Sequence, residues 1–293
     1  MTQGWVLATV LGVAAGTSIT AAELQSRTVA AFDRYVRATE SRLKTGTFLW
    51  VDGLPSPRRS EALALMQSGM LFIDAPRTLD DGREIDIPGG LVHHWIGTAF
   101  VPNATVAQTL TILQDYDQHA RIYAPAVARS RLLSRDRDRF RLFLRFKMKQ
   151  IITVVVNSEH EAIFTSAAPD RSEGWIHSTR IAEVENPDEP GEREKPVGQD
   201  GGYLWRLNTY WRLLARDGGV FIQCESVSLT RSIPVGLGWL VKPFVTSIPK
   251  ESLTFTLETT RKQLVRPSCR SPRPQASASS STVVSHRVWE ARR

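Results

Sequence analysis

Between residues 203 and 213 apolar and polar positions alternate strictly. Tyr203, Trp205, Leu207, Thr209, Trp211 and Leu213 share one parity, with Arg206, Asn208 and Arg212 on the other. A period of two predicts a strand of an antiparallel sheet with one face buried. Arg216-Asp217-Gly218-Gly219 supplies turn residues free to take positive φ, and residues 220–232 return as the hairpin partner. Pro234, Gly236 and Gly238 end that strand. Pro249 opens a helix to about Leu264, with Leu253, Leu257 and Leu264 on one stripe. A long hairpin running into a terminal helix predicts a sheet curled around that helix.

Upstream, residues 23–44 read as an amphipathic helix, with Leu24, Val29, Phe32, Val36 and Leu43 near one face and Gly46 at its end. Residues 47–51 form a strand-like run, 60–67 a short helix and 70–73 another apolar run. Asp80-Asp81-Gly82 marks a turn in a polar loop. Pro88-Gly89-Gly90 opens the main domain. A strand follows over 91–101, then a helix from about 105 to 121 with Asn103 as N-cap, then a strand over 124–134. After a charged turn, Phe140, Leu142, Leu144, Phe146 and Met148 alternate with Arg139, Arg141, Arg145, Lys147 and Lys149, a basic row read as a solvated sheet face. Strands over 151–165 and 175–185 are separated from the opening hairpin by an acidic, Pro-rich stretch, 186–201, expected to be a mobile loop.

The order is strand, helix, six further strands and a terminal helix, which predicts an antiparallel meander. The chain divides into residues 1–22, an N-terminal extension over 23–87 packing on the main body, a main domain over 88–265, and a disordered low-complexity tail over 266–293. Hydrophobic content of 42% and charged content of 23% are ordinary for a globular protein. The net charge of +7 looks informative until it is located: the tail holds six Arg against one Glu. The body is close to neutral, so charge gives no reason to expect a nucleic-acid partner. Cys224 and Cys269 match no metal or redox spacing. Residues 1–22 carry no charged side chain, and their apolar run from Trp5 to Gly16 ends in small residues. This predicts a cleaved export signal and a periplasmic or extracellular protein; an uncleaved membrane anchor or a cytoplasmic chain are the alternatives.

Three groups of residues carry a family likeness: Phe100-Val101-Pro102-Asn103 closing the first strand, Leu113 to Asp117 followed by Tyr123-Ala124-Pro125, and Ile248 to Leu253 leading to Leu257 and Arg261. With the order of elements they resemble the START/polyketide-cyclase superfamily, the helix-grip fold shared with birch-pollen-allergen-like proteins, over residues 89–264. The resemblance implies an α+β fold: a curved seven-stranded antiparallel sheet wrapped around a long C-terminal helix, here with a helical N-terminal extension, enclosing a mostly apolar cavity. Members bind lipids, sterols, polyketides, quinones or plant hormones, and some cyclise or dehydrate their ligand. The superfamily has no catalytic set to carry over.

Enzyme motifs are thin: there is no Gly-x-Ser-x-Gly, no His-Glu-x-x-His and no phosphate loop, and Gly236-Leu237-Gly238 lacks a third glycine. His93 and His94 are neighbours on a strand, so they point to opposite faces and cannot ligate one metal. Glu225 and Arg231 share the parity of Phe221, Val227 and Leu229, and Arg180 lies on another strand. An inward Glu225 needs a partner such as Arg231, Arg206 or Arg180; an outward one belongs to a cross-strand pair of little worth. Alternation alone leaves the register open. The candidate ligand-binding residues are Trp205, Trp211, Tyr203, Arg180, Glu225, Arg231 and His93, with no catalytic residue, metal or cofactor assigned. The expected function is carriage of a hydrophobic or amphipathic, lipid-like small molecule by a monomer with transient membrane contact; the alternative is a cyclase or dehydratase using a His or Glu of the same cavity.

Overall fold

The computed structural model describes residues 22–149, 153–232 and 238–265. The expected export signal (apart from Ala22), the breaks at Pro234 and Gly236, and the tail with Cys269 lie outside them. After a short strand, Ala22–Glu23, paired with Gln199–Asp200, come helices α1 (Ser26–Thr45) and α2 (Ser56–Gln67), with a 3-10 turn, Trp50–Gly53, between them. That turn replaces the strand expected at 47–51. The carbonyls of Thr47 and Phe48 accept from Arg212, and the Trp50 N–H donates to the Gln223 side chain, so side chains rather than a neighbouring strand satisfy this backbone.

Strand β1 (Phe72–Asp74) precedes β2 (Gly90–Pro102), α3 (Val106–Gln114) and the short α4 (His119–Ile122). Six strands follow: β3 (Val127–Asp136), β4 (Arg139–Lys149), β5 (Thr153–Ala168), β6 (Arg171–Glu185), β7 (Arg206–Arg216) and β8 (Gly219–Arg231). Helix α5 (Gly238–Val265) closes the fold. The sheet order is β1-β2-β8-β7-β6-β5-β4-β3, antiparallel throughout. Strands β2 to β8 are the seven expected. The α3–α4 connection carries the chain from β2, beside β8, to β3 at the far edge, which leaves room for α5 across the sheet. Two pieces of this sheet were not foreseen: β1 extends it beyond β2, and Arg193–Glu194 pairs with the end of β6.

The long helix expected from 105 to 121 is broken. Thr105, not Asn103, caps α3 through a capping box: its Oγ1 accepts from the Gln108 N–H at 3.1 Å and its own N–H donates to Gln108 Oε1 at 2.9 Å. After α3 the chain is held to β3, where Asp117 Oδ1 accepts the Leu132 N–H at 2.8 Å and Ser130 Oγ accepts the Ala120 N–H at 2.7 Å. The 186–201 stretch is likewise tied down. Glu192 pairs with Arg145 and Asp188 with Arg129, both partners coming from the basic residues of β3 and β4. Acidic loop and basic row therefore cover one another in part.

Leu253 and Leu257 of α5 pack with Phe140, Phe164, Trp211, Leu213 and Ile222 on one sheet face. Gly97 of β2 marks the closest approach: a Cβ there would overlap Leu257 Cδ1 and stand 2.9 Å from Ile73 Cδ1. Gly97→Ala is expected to cost about 1–3 kcal/mol by overpacking, read as a lowered denaturant midpoint at unchanged m-value; an unchanged midpoint contradicts this seating of α5. The opposite sheet face is also buried. Phe32 and Leu43 of α1 pack with Tyr210, Val227 and Leu229, and Asn208 and Arg212 are covered as well. The strand expected to keep one wet face has none.

Candidate functional site

A cavity of about 400 Å³ lies between α5 and the sheet. Strand alternation builds its wall: Leu142, Leu144, Phe146 and Met148 of β4 all point to it. On β8 one parity faces inward throughout, and its character changes along the strand, from Val220, Ile222 and Cys224 to Ser226, Ser228 and Thr230. The cavity therefore has an apolar end beside Tyr116, Leu113 and Trp211 and a hydroxyl-bearing stripe along β8.

Five titratable side chains of its wall are held neutral by burial. His119 and His160 are pushed down to about 4, Tyr123 up to about 12, and Tyr116 and Cys224 further up, in each case because burial penalises the charged form. Tyr123 donates to Thr260 Oγ1 at 2.9 Å, whose own proton goes to the Thr256 carbonyl at 2.8 Å. His160 Nε2 lies 2.9 Å from Ser158 Oγ, which donates to the Leu144 carbonyl at 3.0 Å.

The sequence candidates are distributed over both faces. Tyr203 and Trp211 line the cavity. Trp205 does not: β7 begins at Arg206, and a period of two holds only within a strand. Its ring joins Phe32 and Leu43 on the α1 side, and its indole donates to Asp200 Oδ1 at 2.9 Å. His93 is buried, with Nε2 3.0 Å from Thr230 Oγ1, and burial lowers its pKa to about 4. Arg180 pairs with Glu194. The stem of Arg231 lies against Gly202, where an added Cβ would stand 2.6 Å from Arg231 Cβ.

Glu225 faces away from the cavity and is fully buried beneath α1. None of the three arginines expected as its partner reaches it. Arg42 of α1 does, together with His94, whose Nε2 is 2.7 Å from Glu225 Oε1. Burial lowers the His94 pKa more than the neighbouring carboxylate raises it, so Nε2–H donates to Glu225 and Nδ1 accepts from Tyr35 Oη at 2.9 Å. A cleft of about 210 Å³ beside this cluster is lined by Arg42, Trp50, Arg212 and Gln223. Arg212 is engaged there by the carbonyls of Leu43, Thr47 and Phe48. The cluster is a structural clamp between extension and sheet.

The residues that sequence reasoning passed over are His160, Tyr116 and the Ser226–Ser228 stripe. The signal for His160 is its parity with Val156, Ala162 and Phe164 on β5. Among the described residues no group of three or more His, Cys, Asp or Glu is placed to hold a metal ion, and no helix is long and apolar enough to cross a membrane.

No protein-family model and no curated protein matches the chain. Solved structures do. The chain resembles START-domain proteins and aromatase/cyclases. A STAR-related lipid transfer protein from Xanthomonas axonopodis aligns at 19% identity and TM-score 0.42, over 61% of this chain and 95% of that one. The Zhui aromatase/cyclase from Streptomyces sp. R1128 aligns at 12% identity and TM-score 0.41, over 59% and 94%. A START superfamily protein from Mycobacterium smegmatis aligns at 13% identity and TM-score 0.38, over 59% and 97%. Likeness at this level says nothing of ligand or reaction.

Proposed function

We propose that the protein binds and carries a hydrophobic or amphipathic, lipid-like small molecule between the sheet and α5. The observation that carries this reading is the cavity itself: about 400 Å³, with a mainly apolar wall, a hydroxyl stripe along β8 and further hydroxyls from Thr209, Ser252 and Thr256. Ligand sites have this size and this sparse polarity. The cyclase or dehydratase alternative loses Glu225, which sits on the far face under α1, and is left with His119, His160 and Glu251 of the cavity wall. Export directed by residues 1–22 and a monomeric state remain part of the proposal; N-terminal sequencing and sedimentation of protein from producing cells test them.

Ser226 is half-buried and borders the open volume. Ser226→Trp is expected to fill the cavity, abolishing saturable binding of the uncharged fluorophore N-phenylnaphthylamine while leaving the thermal midpoint within a few degrees of wild type. Equal binding by both proteins contradicts a ligand site here.

A further inference from the structure

The hydroxyl stripe of β8 is not uniform. Thr230 Oγ1 lies 3.0 Å from His93 Nε2 and donates to the Arg231 carbonyl at 3.3 Å, so its bonds are made within the protein. Ser226 Oγ, Ser228 Oγ and Thr209 Oγ1 take part in no hydrogen bond among the described residues, and each keeps accessible surface where its residue lines the cavity. Ser228 is only 5% exposed, so its hydroxyl meets the cavity and little else. Polar groups this buried are as a rule paired. A hydroxyl both donates and accepts, so these three suit a carbonyl, an ether or a hydroxyl of a ligand alike.

The three hydroxyls form two polar points. Thr209 of β7 stands directly opposite Ser226 of β8. Cβ atoms of such a pair are about 4.5–5.5 Å apart, near enough for both hydroxyls to meet one ligand atom. Ser228, opposite Leu207, lies one pleat repeat further along the same face, about 7 Å on. Elsewhere Leu142, Leu144 and Phe146 of β4 and Leu253 of α5 supply apolar wall. On α5 the Thr256 hydroxyl is turned back onto the Ser252 carbonyl at 2.8 Å. The unpartnered hydroxyls therefore run along one side of the cavity, lengthwise with β8.

Resting on the ligand-binding reading above, we propose that the ligand lies lengthwise along β8 and carries two oxygen functions on one long edge, at the Ser226–Ser228 spacing. The class is an elongated apolar skeleton that is polar along one edge, as distinct from one with a single polar head such as a fatty acid. Thr209 and Ser226 together take one oxygen, and Ser228 takes the other. A skeleton with only one oxygen in place leaves a buried hydroxyl unpaired, which lowers its affinity.

The test compares 2,7-dihydroxynaphthalene, whose hydroxyls share one long edge, with its 2,6 isomer, whose hydroxyls lie on opposite edges. The two have the same atoms and the same ring system. Affinities are read on the full chain by displacement of N-phenylnaphthylamine. Wild type is expected to bind the 2,7 isomer about fivefold more tightly, the worth of one hydrogen bond. Ser228→Ala should lose that preference by weakening the 2,7 isomer alone, because the 2,6 isomer still reaches Thr209 and Ser226; its thermal midpoint should stay at the wild-type value. Equal affinities in wild type, or an unchanged preference in Ser228→Ala, overturn the inference and leave the cavity reading standing, as does displacement by neither isomer. Failure of N-phenylnaphthylamine itself to bind overturns the two together.

Discussion

Stability is expected to fall steeply as the pH drops from 6.5 towards 4. His93, His119 and His160 are each lowered from 6.5 to about 4 in the folded chain by burial. Between those values the unfolded chain takes up a proton at each histidine and the folded chain does not. Stability is therefore fully present above the unfolded pKa and is lost as the pH falls through the window. With three protons in play the steepest slope is about 4 kcal/mol per pH unit. Over the whole window the loss amounts to about 10 kcal/mol, comparable with the roughly 5–15 kcal/mol that stabilises a domain. His94 is shifted in the same sense. Asp200 opposes, because burial raises its pKa, but it titrates from a lower starting value. Urea midpoints at closely spaced pH values check this; a flat profile across the window contradicts the burial of these rings.

Removing Arg42 is the second large effect. Arg42→Ala leaves Glu225 fully buried with only the neutral His94 as donor, an uncompensated charge that costs about 3 kcal/mol or more. The double substitution Arg42→Ala with Glu225→Leu removes both charges and is expected to recover much of that loss. Protease sensitivity of α1 should follow the same order, highest in the single variant. A midpoint within about 0.5 kcal/mol of wild type for Arg42→Ala would place the pair among screened surface contacts.

How far these features were legible in the chain differs by element. Strands β4, β7 and β8 announced themselves because period-two alternation is a property of adjacent residues, and the terminal helix stripe is equally local. The faces were harder. Alternation separates two sets of side chains without saying which is inside, and on β7 both are. Arg212 and Asn208 looked wet because their cover, α1, lies far away in sequence, and because the carbonyls that satisfy Arg212 carry no signature in side-chain composition. Glu225 was singled out as a costly charge in need of an arginine. That reasoning was sound in kind, yet its partner Arg42 is 183 residues away, beyond any cross-strand spacing. Composition also gave no sign of the ion pairs that 186–201 makes, since it counts acidic residues without seeing the basic strands they meet. Of the candidate ligand contacts, Tyr203 and Trp211 came from the aromatic row, whereas Trp205 fell outside the strand that defines it. His160 was readable by the same parity argument applied to β5.

On the proposed function, the volume beneath α5 holds a small molecule. Native mass spectrometry of the protein purified from its own cells, without detergent, addresses this directly. A complex heavier than the polypeptide by one small, extractable organic molecule is expected, and bare polypeptide for Ser226→Trp prepared in the same way. The bare polypeptide mass for wild type, joined to a failure of added N-phenylnaphthylamine to bind, would contradict it.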